Sequence, residues 1–387
     1  MAIYLDYAAT APMPPLVVDA YTAALGLVGN PSSIHSQGQD ARRVLEDARE
    51  RVAASLGADR VEVTFTGGGT ESVNLGIKGL YWSRVSTGST TRDRARREPT
   101  RNRILVPLAE HHATIEAVEW LAAHEGAVVD WVPVDSVGRI DLDYLASALG
   151  PDVALVTLLM ANNEIGTVQP VEAVAALARE HGIPVHIDAI AAYGYLPIDF
   201  HALGVAALSV SAHKIGGPVG VGALLIARDA VIEPLVHGGS QQRSRSGTQD
   251  AAGAAAFGAA ASLGLHTSTA LRDRLVSGVR NAVPTAVLRG DPIHRLPANA
   301  HFTFPGCEGD SLLFLLDAAG FSVSTGSACQ AGVPEASHVL LALGLDEPTA
   351  RGALRFTLGR DTTEAEVDAL VAALPAAVAA ARAAGLA

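Results

Sequence analysis

From about residue 16 to residue 230 the chain alternates short apolar runs with stretches of helical periodicity, and this alternation limits the folds open to it. The runs at 61–65, 104–107, 128–133, 153–159, 184–188, 207–211 and 222–227 have the length and content of strands. Ahead of the first of them, 42–56 places Val44, Leu45, Ala48, Val52 and Leu56 at helical spacing. A strand followed by a helix crosses over before the next strand, so neighbouring strands come to lie parallel. Helices then cover both faces of the sheet, which favours continuously apolar strands over alternating ones. The expectation is an α/β fold, a mostly parallel seven-stranded sheet between helical layers.

Beyond about residue 265 the texture changes. Short strand-like runs at 299–304 and 354–358 mix with helical patterns, and a last helix is expected from Thr363, with Glu366 three residues on as its capping box. The 387 residues are enough for two units. The boundaries expected are a large domain over 16–264 and a smaller α+β domain made from 1–15 and 265–387.

Charge and cysteine content exclude several roles. The net charge of −12 argues against direct nucleic-acid binding, which needs concentrated positive charge. Segment 84–103 is the local exception, with seven arginines against Asp93 and Glu98. It reads as a solvated, mobile surface loop or as a docking segment for an acidic partner. No apolar run has membrane-spanning length, and the N-terminus has no basic segment before an apolar one, so a cytoplasmic protein is expected. Two cysteines, Cys307 and Cys329, build neither a disulfide framework nor a four-thiolate metal site.

Three elements carry chemistry. Lys214 ends the stretch Ala207-Leu-Ser-Val-Ser-Ala-His-Lys214, at the carboxyl edge of a strand where open α/β sheets place ligands. A lysine there can form an imine with an aldehyde cofactor, although a solvated surface lysine fits the same spacing. Asp188 ends the strand run before it. Such a carboxylate can keep a pyridinium nitrogen protonated, so that the ring acts as an electron sink, or it can simply cap a helix. Thr66-Gly-Gly-Gly-Thr70-Glu-Ser72 lies between a strand and a helix expected at 73–79. Glycines and a helix N-terminus suit a phosphate, without the lysine of a Walker loop. His111 follows the 104–107 strand and can stack on a ring. Cys329 lies in a stretch rich in glycine and small residues, expected to be mobile, whereas Cys307 sits in a turn before a helix and receives no role.

Taken end to end, the chain resembles a cysteine desulfurase of the NifS/IscS type, within the class V aminotransferase-like family of fold-type I pyridoxal-phosphate (PLP) enzymes. The resemblance rests on Tyr4-Leu-Asp-Tyr-Ala-Ala-Thr10, Gly29-Asn-Pro-Ser32, the glycine-rich turn, Asn162-Asn-Glu-Ile-Gly166, His186-Ile-Asp188, Ser211-Ala-His-Lys214, Arg245-Ser-Gly-Thr248, Gly326-Ser-Ala-Cys329 and Leu354-Arg-Phe-Thr-Leu-Gly359. It implies that Lys214 carries PLP as an imine and moves protons, that Asp188 pairs with the pyridinium, and that His111 stacks on the ring and assists proton transfer. Gly69, Thr70, Ser211 and His213 then bind the phosphate, with Thr248 reaching over from the second subunit of a homodimer. Asn163 and Arg355 hold the substrate carboxylate, and Cys329 accepts sulfur from L-cysteine as a persulfide, leaving L-alanine.

A sulfur-acceptor protein is implied without being identified. Iron–sulfur assembly, tRNA thiolation and DNA phosphorothioation all draw on this family. The chain reaches Ala387 soon after its last helix. Longer relatives have a C-terminal tail that contacts the iron–sulfur scaffold, so the resemblance carries less weight for that partner. The rivals are a selenocysteine lyase, separated by comparing rates on cysteine and selenocysteine, and a class V aminotransferase, which would yield a keto acid without sulfide. A non-catalytic interaction dimer would lack bound cofactor. One departure stands out: the family usually has a glutamine three residues after the aspartate, donating to the cofactor's phenolic oxygen. Here that residue is Ala191, which cannot donate; water or Tyr193 can fill the gap, and if neither does, the phenolate leans on the imine proton and the aldimine pKa rises.

Overall fold

In the computed structural model, which describes residues 2–86, 101–266, 268–326 and 336–385, the seven apolar runs fold as one sheet. After a short first strand β1 (Ile3–Tyr4), they are β2 (Val63–Thr66), β3 (Arg103–Pro107), β4 (Val128–Val132), β5 (Val153–Leu159), β6 (Val185–Asp188), β7 (Ala207–Ser211) and β8 (Gly222–Ile226). Their spatial order is β2-β8-β7-β6-β5-β3-β4. All neighbours run parallel except at β8, which is antiparallel to both β2 and β7.

Helices cover both faces. Along β8, Ala223 and Leu225 enter one apolar cluster with Leu45, Val52 and Phe257, while Leu224 and Ile226 enter another with Ile77, Tyr81 and Leu121. Each of the leucine, valine, isoleucine and phenylalanine side chains, fully buried, contributes roughly 1.5–3 kcal/mol. The small residues of helix Ala251–Ala261 let it approach helix Ser36–Ser55 closely, because a Cβ on Gly258 would lie 2.8 Å from Ala48 Cα.

The rest of the chain builds a second sheet. Strands β9 (Val287–Arg289), β10 (Asn299–Thr303) and β12 (Ala353–Thr357) pair antiparallel in the order β12-β10-β9, and the short strand β11 (Phe321–Ser322) pairs in parallel with β1. Helices Thr269–Ala282, Gly309–Ala318 and Glu364–Gly385 enclose a separate core that includes Leu5, Leu275, Phe302, Leu312, Phe356 and Leu374. The capping box read from the sequence is present: Glu366 accepts from Thr363 N at 2.8 Å, and Thr363 Oγ1 accepts from Glu366 N at 3.3 Å.

Two expectations need correction. The helix placed at 73–79 runs from Gly69 to Ser86, because Leu80 and Tyr81 continue its buried face beyond Gly79. Gly79 is tolerated within that helix since a side chain there would strike Ile232, 2.4 Å from a built Cβ. The arginine-rich segment is also shorter than 84–103. Arg84 belongs to the helix, and Arg103 opens β3, where it pairs with Asp130 at 2.8 Å and Asp152 at 2.9 Å. Residues 87–100, with the remaining candidate docking arginines except Arg101, lie outside the described residues. Among the described residues no helix is long and apolar enough to cross a membrane.

Candidate active site

Parallel strands β2, β3, β6 and β7 end along one edge of the sheet, and the chemistry read from the sequence collects there. β6 ends in Asp188 and β7 in Ser211. The 3-10 turn Ala212–Ile215 follows at once and carries His213 and Lys214. β3 leads to Glu110 and to His111, the N-cap of helix His112–Glu125.

Lys214 Nζ donates to the carbonyl oxygens of Ala8 and Ala9, the latter at 3.2 Å. Burial, then Arg355, lowers its pKa to about 8, while Asp188 and Asp6 pull the other way. A lysine so tuned has a usable neutral fraction near neutral pH, which a nucleophilic amine requires. Asp188 is 5% exposed, accepts from Ile190 N at 2.9 Å, and is raised by burial to about 6, with Lys214 opposing. A carboxylate in that setting gains most from a cationic partner placed against it. His111 Nδ1 accepts from Ala113 N at 3.1 Å. Burial and the nearby Lys214 bring its pKa down to about 4, so its ring is neutral.

The glycine-rich turn presses the start of helix Gly69–Ser86 onto the end of β7. A Cβ on Gly69 would lie 2.5 Å from Ile190 Cδ1 and 3.3 Å from Ser211 Cβ. Thr66 Oγ1 and Ser72 Oγ, 2.7 Å apart, together with Glu71, which accepts from Gly67 N at 2.7 Å, hold the turn. The helix start, Gly69 and Thr70 included, offers N–H groups that have no partner within the helix. Among the described residues Ser211 Oγ is buried without a hydrogen-bond partner, so its hydroxyl is available to a group outside the chain. His213 lies nearby, its Nδ1 at 3.4 Å from Thr10 Oγ1, and burial lowers its pKa to about 4.

Arg355 on β12 reaches the same place. Its Nη1 donates to the Asn163 carbonyl at 2.9 Å and its Nη2 to Asp6 Oδ1 at 2.7 Å. A cavity of about 20 Å³, one water in size, is lined by Tyr7, Asn163, Ala191, Tyr195, Lys214 and Asn299, among others. Lys214, Asp188, His111, Gly69, Thr70, Ser211, His213, Asn163 and Arg355 therefore belong to one neighbourhood. Thr248 is exposed, in the loop that Arg245 ties to Glu71 at 3.0 Å; among the described residues no hydrogen bond joins Thr248 to the others. Cys329 lies outside the described residues. Cys307 is buried, faces the Val378 carbonyl at 3.8 Å, and burial raises its pKa, the setting of an inert thiol.

Tyr193 does not replace the missing glutamine. Its hydroxyl lies 2.6 Å from Ser55 Oγ, and its ring packs edge-on against Phe257 in the apolar core. Two positions on, Tyr195 lines the cavity beside Ala191 instead. Sequence reasoning also missed Asp6 and Glu110. Asp6 sits in the quoted Leu-Asp-Tyr motif, and Glu110 precedes His111, but neither position by itself signals its partner.

A cavity of about 900 Å³ opens elsewhere, at the edge where β6 and β7 begin, lined in part by Arg84, Arg179, His201 and Arg228. Lys214 and Asp188 are not part of it, so size alone does not mark the chemical site.

The pattern of the aminotransferase class-V family matches residues 3–370. An IscS-like cysteine desulfurase of Mycobacterium tuberculosis (strain ATCC 25618 / H37Rv) is 51% identical, over 99% of this chain and 98% of that protein. Among solved structures, a NifS-like protein superposes with a TM-score of 0.88 at 33% identity, covering 98% of this chain and all of that one. A structure of SspA in complex with cysteine superposes with a TM-score of 0.80 at 30% identity, covering 92% and 98%. With its sheet order, its lysine-bearing edge and these matches, the chain belongs to the aminotransferase class-V family, among its cysteine desulfurases.

Proposed function

We propose that the chain is a PLP-dependent cysteine desulfurase that converts L-cysteine to L-alanine and places the sulfur on Cys329 for delivery to an acceptor. The observation that carries the reading is Lys214, buried and with a lowered pKa, sharing one sheet edge with the buried carboxylate of Asp188. The SspA complex with cysteine supports cysteine as the substrate.

The residues fit the cofactor. Asp188 would take the pyridinium nitrogen, which supplies the cation its buried carboxylate lacks. The partnerless Ser211 hydroxyl, the cradle at Gly69 and Thr70, and His213 would take the phosphate, and neutral His111 would stack on the ring. When bound, PLP supplies an electron sink that acidifies the α-carbon of an attached amino acid. Arg355, steadied by Asn163, holds the substrate carboxylate. The neutral Lys214 amine takes the α-proton, and His111 assists proton transfer. The Cys329 thiolate attacks the substrate sulfur, a carbon–sulfur bond breaks and a sulfur–sulfur bond forms. L-cysteine plus the Cys329 thiol thus gives L-alanine plus a Cys329 persulfide, with no external reductant needed until the persulfide is discharged.

In this reading 16–264 form the cofactor unit, and 1–15 with 265–387 the smaller unit that carries Cys329. The enzyme acts in the cytoplasm as a homodimer, in which the exposed Thr248 completes the phosphate site of a second copy. The test is a pair of variants. Cys329→Ser is expected to keep the cofactor and its visible band while losing sulfide release, and Lys214→Ala to lose both band and turnover. Wild-type sulfide release by Cys329→Ser would sink the assignment of the acceptor. A fully active protein with the mass of one chain in light scattering would sink the dimer.

A further inference from the structure

Unpartnered buried polar atoms gather behind Arg355. Among the described residues, His301 is fully buried with neither ring nitrogen hydrogen-bonded, and Arg355 Nε and Asn299 Oδ1 are likewise buried without partners. These atoms share a face. His301 on β10 stands directly opposite Arg355 on β12, and Asn299 opposite Thr357. Side chains directly opposite in an antiparallel pair project from the same face, with Cβ atoms about 4.5–5.5 Å apart. That face looks toward Lys214, since Arg355 reaches Asn163 and Asp6, and Asn299 lines the cavity beside Lys214.

The hydrogen-bond count is specific. A guanidinium has five N–H groups. Asn163 takes one from Nη1 and Asp6 one from Nη2, which leaves one on each for a substrate carboxylate and one on Nε. Nothing yet fixes the Nε edge. Burial, then Arg355, Arg295 and Arg289, keeps His301 neutral, so its ring presents one lone pair and one N–H. A lone pair beside an unpaired guanidinium N–H is a matched donor and acceptor. The other side of the ring has an acceptor too. A Cβ on Gly326 would lie 3.1 Å from His301 Nε2 and 3.4 Å from Glu164 Oε2, so both atoms pack against Gly326 and lie near each other. Glu164 is itself fixed by Ser337 Oγ at 2.5 Å. No direct hydrogen bond joins His301 to either group, and buried polar groups left unpaired in this way are commonly bridged by ordered water.

We propose that His301 is a positioning residue for the substrate-binding fork: through bound water it accepts from Arg355 Nε, and it donates on its other side toward Glu164. The chain Glu164–His301–water–Arg355 then sets the plane of the guanidinium, so that its two remaining Nη hydrogens meet the carboxylate in parallel. This rests on the reading of Arg355 as the carboxylate ligand.

The experiment compares holoenzyme variants His301→Leu, which removes both nitrogens at similar bulk, and His301→Gln, which keeps a donor and an acceptor. Steady-state rates on L-cysteine, competitive inhibition by L-alanine, cofactor absorbance and melting temperature are measured for each. His301→Leu is expected to raise KM and the L-alanine inhibition constant together, by about tenfold, as loss of a hydrogen bond to a charged group does. Its kcat should stay within about threefold, and its melting temperature is followed to separate a loss of fold from a loss of substrate binding. His301→Gln should recover most of the loss in KM. An unchanged KM in His301→Leu, or a loss confined to kcat, overturns the proposal. Arg355→Lys is run beside them. If it raises KM while His301→Leu does not, only the role of His301 falls. If it leaves KM unmoved, the carboxylate reading of Arg355 falls, and the proposal with it.

Discussion

Asp6 and Arg355 are 349 residues apart in the sequence and 2.7 Å apart in the fold. The pair ties the first residues of the chain to β12, beside Lys214, and it affects the lysine from both sides. Arg355 lowers the Lys214 pKa and Asp6 raises it. Asp6→Asn keeps the shape and removes the charge that favours the ammonium. The Lys214 pKa should therefore drop further below about 8 in the cofactor-free protein. The pH dependence of Lys214 acylation, followed by peptide mass spectrometry, checks this, and an upward shift of its midpoint would refute it. Leaving Arg355 without its carboxylate should also cost about 2 kcal/mol of stability, less than for a fully buried pair because Asp6 is partly exposed.

Asp188 makes the cofactor-free protein sensitive to pH. Its folded pKa of about 6 lies above its ordinary value of 3.8, so the folded state binds this proton more tightly than the unfolded chain does. Its contribution is therefore favourable at low pH and is lost as pH rises through the window from 3.8 to about 6. At about 1.4 kcal/mol per pKa unit, ionised Asp188 costs up to about 3 kcal/mol above that window. Cofactor-free Asp188→Asn should be more stable than wild type at pH 7.5, with the gain shrinking to nothing below about pH 4. The same variant should bind PLP poorly. Urea unfolding of both proteins across this range decides the matter; a gain independent of pH would show that Asp188 is not the titrating group.

Ala191 leaves a space of about 20 Å³ beside Lys214, and Tyr193 is committed to Ser55. A cofactor phenolate at this edge then lacks the amide donor usual in the family, a hydrogen bond worth roughly 1.5–3 kcal/mol when the acceptor is charged. The visible band of the wild-type holoenzyme should titrate at higher pH than that of Ala191→Gln, and the wild type should turn over more slowly. Coincident titrations and rates would show that water in the cavity, or Tyr195, already does the work of the amide.

Glu110 should tolerate its amide. Burial raises its pKa well above the usual carboxyl range, aided by the charge of Asp188, which favours the protonated form. Its Oε1 accepts from Leu159 N at 2.9 Å, the residue paired with Asp188 across β5 and β6. Glu110→Gln preserves that acceptor and the neutral charge, so it should be at least as stable as wild type, with its advantage growing as pH rises above the ordinary carboxyl pKa of 4.5. Glu110→Ala leaves a buried N–H unpaired and should cost about 2–3 kcal/mol. A large loss in the glutamine variant would mean that the carboxyl is ionised in the fold.

Much of the frame is written locally. β5 reads Val-Ala-Leu-Val-Thr-Leu-Leu and is buried along its whole length, as a strand covered on both faces requires. Lys214 and Asp188 were legible because each directly follows or ends such a run, and strand ends of one parallel sheet share an edge. The Thr363–Glu366 cap was legible because all its atoms lie within one turn. Side-chain direction after a strand was not: Tyr193 and Tyr195 are two positions apart, yet one enters the core and the other lines the site. Nor did composition reveal that Arg84 and Arg103 belong to a helix and a strand rather than to a loop. The pairings Asp6–Arg355 and His301–Arg355 were hidden for a further reason. Periodicity and capping are set by residues a few positions apart, whereas these contacts depend on sheet order and on the register of β10 against β12, which form only when distant segments pack.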